Sequence, residues 1–453
     1  MDQIDFFDLV PDLTLEEVFK AYLSCRRRKR RSLSSLYFEQ NYEHNLIRLY
    51  QDIVQRIYKT HPSRAFIVPK PVQREVFAAD FRDRIVHHLV IDYLMPIFED
   101  VFLNESYSCR AGKGTLFGVK SCTQMMQLCS HNYTTDCYVL RLDIHGFFFH
   151  IDKRILYRKI KKLIDDRYRN TNKSTILFLI REVLRDNPTV NCKISGSKEA
   201  WKGLPKTKSL FYSGIHKGLP IGNLTSQIFA NFYLDDFDHY VSGLDKDLFY
   251  GRYVDDIVIM HPNREYLLGV KKQVDIYLRE KLGLMLHPKK ISLQHYGKGF
   301  AFIGAYIKPG RIYPGKRLRR SFYLKMQHLN KLWEENKKPI NPRLMEKTLS
   351  SINSYFGLLK HFDSWRVKLK GWNMLNERIR SVFRTNENLN KVWIDPYMKR
   401  KMINESRRMF TEPLRYPKRY RSLVAKWDKL KPEEALESFF KNPYIVLSND
   451  DEE

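Results

Sequence analysis

The feature that most constrains this chain is a pair of adjacent aspartates inside an apolar run, GRYVDDIVIM at residues 251–260. An unpaired charge in a buried strand is strongly unfavourable, so both carboxylates need a partner. The pattern predicts two antiparallel strands joined by a two-residue turn with Asp255 and Asp256 at its tip. At such a tip the carboxylates repel each other, and a divalent cation relieves the repulsion. Hard oxygen ligands favour Mg²⁺.

A third aspartate follows another apolar strand. In LRLDIHGFFFHID, at residues 140–152, Asp143 precedes a turn at Gly146. Strands that end at the same edge of a sheet would bring Asp143 close to Asp255 and Asp256. Three carboxylates can hold two Mg²⁺ ions roughly 4 Å apart, an arrangement that serves in-line phosphoryl transfer.

The charge of the chain indicates a polyanionic partner. Its 453 residues carry a formal net charge of +28, which favours nucleic acid first and a membrane surface second. No apolar stretch approaches the roughly 20 residues of a membrane-spanning helix. The acidic N-terminus is unlike a secretory signal, and the six scattered cysteines form no CxxC pair. We therefore expect a cytoplasmic protein with reduced thiols and no membrane partner.

The pattern of elements divides the chain into four parts. Residues 1–60 are predicted to be helical, with Thr14 and Glu17 as a capping box. Residues 61–310 alternate strands with helices. From about 311 to 430 the strand signals fade and basic helices follow, and an acidic tail occupies 431–453. The segment 185–217 is predicted to be a long inserted loop: a lid, a partner surface, an oligomer contact or a tolerated surface loop.

Three motifs in this order resemble those of reverse transcriptases: LDIHGFF at 142–148, KGLPIGNLTSQIFANFYLDDFD at 217–238 and YVDD at 253–256. The resemblance is strongest to bacterial enzymes of diversity-generating retroelements and group II introns, and to related defence-associated enzymes. It implies an α+β right-hand polymerase. Residues 61–310 would form the fingers and a palm with an antiparallel sheet backed by helices. Residues 311–430 would form a helical, basic thumb and C-terminal extension.

The resemblance also implies roles for the acidic residues and for two lysines. Two Mg²⁺ ions would be held by the carboxylates of Asp143, Asp255 and Asp256 and by the carbonyl of Ile144. In LGLMLHPKKISL, at 282–293, either Lys289 or Lys290 would protonate the departing pyrophosphate, and the sequence does not separate the two.

Three further residues would contact the incoming nucleotide. Lys70 and Arg74 match the fingers motif that grips the triphosphate, and the alternative for both is a solvated turn. Phe148 stands where the family has an aromatic residue that clashes with a ribose 2′-hydroxyl. The alternative for Phe148 is a core position in a Phe-rich run.

The motif at 217–238, here called the third motif, departs near its start from the commonest family pattern. Ile221 and Gly222 replace a Gln-Gly pair, and Ser226–Gln227 replaces Ser-Pro. This version resembles that of the error-prone retroelement enzymes. Because the Ile221 side chain makes no hydrogen bond near the nucleotide, we expect modest fidelity, with Ile221, Gly222 and Gln227 as nucleotide-binding residues.

The sequence thus predicts an RNA-directed DNA polymerase that copies a dedicated, structured non-coding RNA onto a DNA or RNA primer, using dNTPs. Its role would be retroelement mutagenesis or antiviral defence, with an accessory protein or a second copy as further partner. The alternatives are template-independent or protein-primed DNA synthesis, and a non-catalytic RNA-binding protein on the same scaffold. The basic segments 25–31 and 414–423 and the stretch from Trp365 to Trp372 are candidate nucleic-acid contacts.

Overall fold

The computed structural model describes residues 13–27, 32–336 and 342–400. The basic segment 414–423 and residues 28–31 of the basic run lie outside this part of the chain. Two compact units are present. The first contains the residues up to Ser321 together with Leu359–Ser364, and the second contains Phe322–Leu358 and the residues from Trp365 onward.

The described residues form fifteen α-helices and twelve strands. The helices are α1 (Leu15–Arg26), α2 (Leu33–Glu39), α3 (Tyr42–Val54), α4 (Phe81–Val101), α5 (Thr115–Cys129), α6 (Phe147–His150), α7 (Lys153–Arg167), α8 (Lys173–Arg185), α9 (Leu224–Tyr233), α10 (Asp235–Ser242), α11 (Arg264–Leu282), α12 (Lys316–Glu335), α13 (Pro342–Leu359), α14 (Trp365–Asn373) and α15 (Glu377–Val382). The strands are β1 (Arg64–Val68), β2 (Arg74–Ala78), β3 (Tyr138–Asp143), β4 (Lys193–Ile194), β5 (Phe249–Tyr253), β6 (Asp256–His261), β7 (Ser292–His295), β8 (Phe300–Phe302), β9 (Ala305–Lys308), β10 (Arg311–Pro314), β11 (Phe383–Thr385) and β12 (Val392–Ile394). None of the helices in the described ranges is long and apolar enough to cross a membrane.

Three helices, α1 to α3, lie in the described residues up to Val54. The Thr14 hydroxyl accepts a hydrogen bond from the Glu17 N–H, and the Glu17 carboxylate accepts one from the Thr14 N–H. This reciprocal capping box fixes the start of α1.

Four antiparallel strands form the sheet that carries the acidic motifs, here called the palm sheet. Its order is β5-β6-β3-β7, so β6 and β3 are central. The predicted α+β architecture with an antiparallel sheet is confirmed. Both faces of the palm sheet are covered. Ile257 and Ile259 of β6 pack into the larger core, whereas Val258 and Met260 pack into a second core that includes α5 and β8. A strand buried on both faces needs a continuous apolar sequence, which explains the run IVIM.

The segment 185–217 is not the simple loop that its polar composition predicted. Lys193–Ile194 forms β4, which pairs in parallel with β1, and three short 3₁₀ helices follow. The buried Glu75 carboxylate of β2 accepts hydrogen bonds from Trp201 Nε1 (2.8 Å), Ser209 Oγ (2.8 Å) and the Leu210 N–H (2.5 Å). The insertion is therefore fastened to the β1–β2 hairpin.

One other prediction about the elements is wrong, because strands continue past residue 311. β10 extends the sheet of β8 and β9, and β11 and β12 form another sheet. Residues 223–241 contain two helices, α9 and α10, separated at Leu234. Within the second unit, the indole of Trp333 donates to Thr348 Oγ1 (2.9 Å). Lys368 is buried, with its ammonium bound to Asn388 O and Asn390 Oδ1, so it is not available to a nucleic acid.

Candidate active site

The turn between β5 and β6 consists of Val254 and Asp255. Tyr253 pairs with Asp256 across the hairpin, so Asp256 begins β6 and the predicted Asp255–Asp256 turn is displaced by one residue. The reason is the backbone of Val254, which has a φ of 56°. This left-handed conformation is unfavourable for a β-branched residue and must be held by its surroundings.

The palm sheet brings the three predicted acidic residues to one end. Asp143 is the last residue of β3 and lies directly opposite Asp256 of β6. The Ile144 N–H donates to the carbonyl of Asp255 at 3.2 Å, which places Ile144 beside the turn. The expected convergence of Asp143, Asp255 and Asp256 therefore follows from the strand register alone.

Negative charge accumulates at this end of the sheet. Burial, together with the charges of Asp256 and Asp143, raises the pKa of Asp255 to about 7. Burial and the charge of Asp143 also raise the pKa of Asp256. In the described ranges no three His, Cys, Asp or Glu side chains are already arranged around a common metal position. Crowded, partly buried carboxylates are nevertheless a donor set that fits a divalent cation with a preference for oxygen.

The structure distinguishes the two candidate lysines. Lys290 Nζ lies 2.6 Å from Asp143 Oδ2. Its ammonium therefore lies against the acidic cluster, the name used here for Asp143, Asp255 and Asp256. Lys289, the preceding residue, is exposed, and its backbone N–H donates to His287 Nδ1 at 3.3 Å. Lys290 is therefore the lysine that the fold places beside the carboxylates.

The β1–β2 hairpin carries the two predicted triphosphate ligands. Lys70 lies on the exposed turn, and Arg74 begins β2 with an exposed side chain opposite Val68. The structure leaves both cations at the surface of the hairpin.

The Ile221–Gly222 step is joined to this hairpin. The Phe77 N–H donates to the Ile221 carbonyl at 2.9 Å. Gly222 has a φ of +123°, and a Cβ there would lie 2.8 Å from Val76 Cγ1. Only glycine fits this close approach. A backbone hydrogen bond and a close approach thus join the Ile221–Gly222 step to the β1–β2 hairpin.

Phe148 and Gln227 are positioned by neighbouring segments. Phe148 is half-buried in α6, and its carbonyl accepts a hydrogen bond from the Leu219 N–H at 2.7 Å. Its ring packs edge-on against Phe147, with the ring centroids 5.7 Å apart. Gln227 is exposed, and its Oε1 accepts from Cys109 Sγ at 3.6 Å.

One functional group was not predicted from the sequence: a fully buried ion pair behind the turn. Arg252 and Asp238 are both 0% exposed. Arg252 Nε donates to Asp238 Oδ1 at 2.6 Å, and its Nη2 contacts Asp238 Oδ2. The Tyr250 hydroxyl also donates to Asp238 Oδ1 at 2.6 Å. Such a pair is stable only because its remaining donors and acceptors are satisfied.

This ion pair reaches the strained residue of the turn. Arg252 Nη1 donates to the Val254 carbonyl at 3.1 Å, and the Val254 N–H donates to Ser108 Oγ at 3.3 Å. The buried side chains of Arg252 and Ser108 thereby bind both backbone groups of Val254. We infer that Arg252 and Asp238 position the turn that presents Asp255.

Residues 68–307, more than half of the chain, match the family model described as reverse transcriptase (RNA-dependent DNA polymerase). Protein YkfC of Escherichia coli (strain K12) is 22% identical over 290 residues, which cover 56% of this chain and 69% of that protein.

Solved structures similar to this chain include two telomerases. Apo telomerase from Candida tropicalis, truncated from its C-terminal domain, has a TM-score of 0.44 at 12% identity over 56% of this chain and 55% of that one. Telomerase from Candida albicans in complex with a TWJ fragment of telomeric RNA has a TM-score of 0.41 at 11% identity over 87% of this chain and 69% of that one. The family match over residues 68–307 is decisive: the chain belongs to the reverse transcriptase (RNA-dependent DNA polymerase) family.

Proposed function

We propose that the protein is an RNA-directed DNA polymerase that adds dNTPs to a primer 3′-hydroxyl with two Mg²⁺ ions. The observation that carries the proposal is the convergence of Asp143, Asp255 and Asp256 at one end of the palm sheet. In this proposal residues 61–310 are the fingers and palm, and residues 311–430 are the thumb and C-terminal extension.

The three carboxylates and the Ile144 carbonyl would hold the ions. When bound, the ions lower the pKa of the attacking hydroxyl and stabilise charge on the leaving pyrophosphate. Lys290 holds a proton at Nζ beside Asp143, so it can donate that proton to the departing pyrophosphate. This geometry favours Lys290 over Lys289 as the general acid.

The remaining predicted residues would bind and select the nucleotide. Lys70 and Arg74 are exposed cations on the hairpin and suit the triphosphate charge. Phe148 would exclude a ribose 2′-hydroxyl, with its backbone fixed by Leu219. Gln227 would contact the nucleotide from the exposed side of α9.

The fidelity proposal rests on Ile221. Its carbonyl is used by Phe77, and its aliphatic side chain makes no hydrogen bond to a base pair. The protein would then check the geometry of the newly formed base pair less strictly. Replacing Ile221 with Gln should lower the misincorporation frequency in a sequencing-based fidelity assay, and equal error rates in the two proteins would exclude this role.

The template is proposed to be a structured non-coding RNA, with a role in a diversity-generating retroelement or in antiviral defence. An accessory protein or a second copy of the chain would be a further partner. Sequencing the nucleic acid that copurifies with the protein would identify template, primer and product together. A template repeat in that RNA would favour the retroelement role, and its absence would favour defence.

A template-permutation assay tests the proposed activity. Four RNA templates that differ in one base are each offered one radiolabelled dNTP at a time on a common primer. We expect incorporation only of the complementary dNTP. Incorporation that ignores the template base, or that needs no template, would indicate terminal transfer or protein priming. No incorporation under any condition would favour the non-catalytic RNA-binding alternative.

A further inference from the structure

A large cavity lies at the Arg64 end of the β1–β2 hairpin, and its lining includes none of Asp143, Asp255 and Asp256. We call it the N-terminal cleft. It has a volume of about 700 Å³ and lies between α2, α3, the Arg64 end of β1 and the start of α4. The turn of the hairpin follows Val68, at the other end of β1. At roughly 3.3 Å per residue, Val68 lies about 13 Å along the strand from Arg64. The volume is in the range of small-ligand sites.

The charge lining the N-terminal cleft is unbalanced. Its two acidic residues are already engaged: Asp52 Oδ2 lies 2.5 Å from Arg82 Nη2, and Asp80 Oδ1 lies 3.8 Å from His61 Nδ1. Four further cations line the cleft, and in the described part of the chain none of them forms an ion pair with a carboxylate. They are Arg48, Arg64, Arg84 and Lys193.

Arg84 is the most constrained of these cations. Its Nε donates to the Ala79 carbonyl at 2.9 Å, which fixes the guanidinium at the cleft wall. Burial lowers the pKa of Arg84; interactions with Cys25 and Asp80 oppose this effect, and the charge of Arg64 adds to it. A guanidinium group presents paired N–H donors that match two oxygens of one phosphate.

The cleft also offers apolar and aromatic surface. Tyr37 is 69% exposed and Leu33 is 57% exposed, and Phe66 of β1 also lines the cleft. An exposed aromatic ring beside several cations is the combination that binds single strands, with phosphates on the cations and a base stacked on the ring. A phosphate ion alone would make no use of Tyr37.

We propose that the N-terminal cleft binds an unpaired strand of nucleic acid, with its phosphates on Arg48, Arg64, Arg84 and Lys193 and a base stacked on Tyr37. This site lies outside the acidic cluster and does not depend on the proposed polymerase activity. The overall charge of +28 favours a nucleic-acid strand as the ligand.

A charge-reversal experiment on the full chain tests the proposal. The cleft variant carries Arg48→Glu, Arg64→Glu and Lys193→Glu, all at exposed positions. The control carries the same charge change at three exposed lysines: Lys162→Glu in α7, and Lys272→Glu and Lys281→Glu in α11. Equal thermal unfolding midpoints would show that both variants remain folded.

The readout is fluorescence anisotropy of a labelled ten-nucleotide oligouridylate, titrated at several salt concentrations. The binding constant K falls as salt rises. Removing three phosphate contacts should make the plot of log K against log salt less steep than that of the control, by about 2 in slope. We also expect the cleft variant to bind at least about ten-fold more weakly than the control. Equal affinities and equal slopes in the two variants would overturn the proposal.

Competition and an aromatic substitution identify the ligand. Tyr37→Ala should weaken oligouridylate binding while Tyr37→Phe preserves it, because stacking needs the ring and not the hydroxyl. Displacement of the oligonucleotide by uridine monophosphate or by an acidic peptide at equal charge concentration would reject a strand-specific site. Incorporation of a single complementary dNTP on a primer–template with a 5′ template overhang is measured in parallel. Its absence in the wild type would reject the polymerase proposal and leave the cleft result standing.

Discussion

A proton held by Asp255 should make the stability of the metal-free protein depend on pH. The ordinary pKa of this carboxyl is 3.8, and in the folded protein it rises to about 7. Between these values the native state keeps a proton that the unfolded chain has released. The native state therefore binds more protons, and the free energy of unfolding falls as pH rises from about 4 to about 7.

The magnitude follows from the size of the shift. The pKa rises by about 3, and each pKa unit corresponds to about 1.36 kcal/mol. The destabilisation above neutral pH is therefore at most about 4 kcal/mol. Solvent screening at the partly exposed turn reduces the expected value to about 2 kcal/mol. A divalent cation offsets this repulsion, so Mg²⁺ should stabilise the wild type more at about pH 8 than at about pH 5.

Urea unfolding from about pH 5 to about pH 8, with and without Mg²⁺, measures the effect. The Asp255→Asn variant should lose most of the pH dependence and most of the Mg²⁺ stabilisation. Asp247→Asn, at an exposed aspartate before β5, is the matched control and should behave like the wild type. If the difference in the free energy of unfolding between wild type and Asp255→Asn is the same at every pH, the electrostatic reasoning is wrong.

Three further predictions concern the surroundings of the turn. Arg252→Met should lower the free energy of unfolding by about 3–5 kcal/mol, because it leaves Asp238 buried without its partner; a loss under about 1 kcal/mol in urea unfolding would contradict the inferred role. Lys290→Ala should lower kcat for dNTP addition by about 100-fold while Lys289→Ala has little effect, and the reverse order in single-turnover kinetics would reassign the general acid. Phe148→Ala should raise the relative use of rNTPs by at least about ten-fold in a competition assay, and unchanged sugar selectivity would place Phe148 in the core instead.

The acidic residues could be predicted from the sequence because buried charge in an apolar strand demands an explanation. Asp143, Asp255 and Asp256 each stood out on this ground, and strand pairing alone brings them together. The turn was displaced by one residue because Val254 occupies a left-handed position, where a turn pattern favours glycine or asparagine. That conformation is held by contacts with Ser108 and Arg252, which a turn pattern does not report.

Arg252 carries a sequence signal of the buried ion pair. It lies in the same apolar run as the two aspartates, and a buried guanidinium requires a carboxylate. Asp238, at the end of the third motif, is that carboxylate. The structure of the 185–217 insertion could not be predicted in this way. Its anchor, Glu75, precedes its partners in the insertion by more than a hundred residues, and periodicity reports only local order.

Incorporation of a single complementary dNTP on an RNA template, compared between the wild type and the Asp255→Asn, Asp256→Asn double variant, tests the central claim most directly. The proposed role of these carboxylates predicts that the double variant loses at least about a thousand-fold in rate, equivalent to about 4 kcal/mol of transition-state stabilisation. The variant should still bind the primer–template. A double variant that incorporates the nucleotide at the wild-type rate would contradict the assignment of the acidic cluster as the catalytic centre.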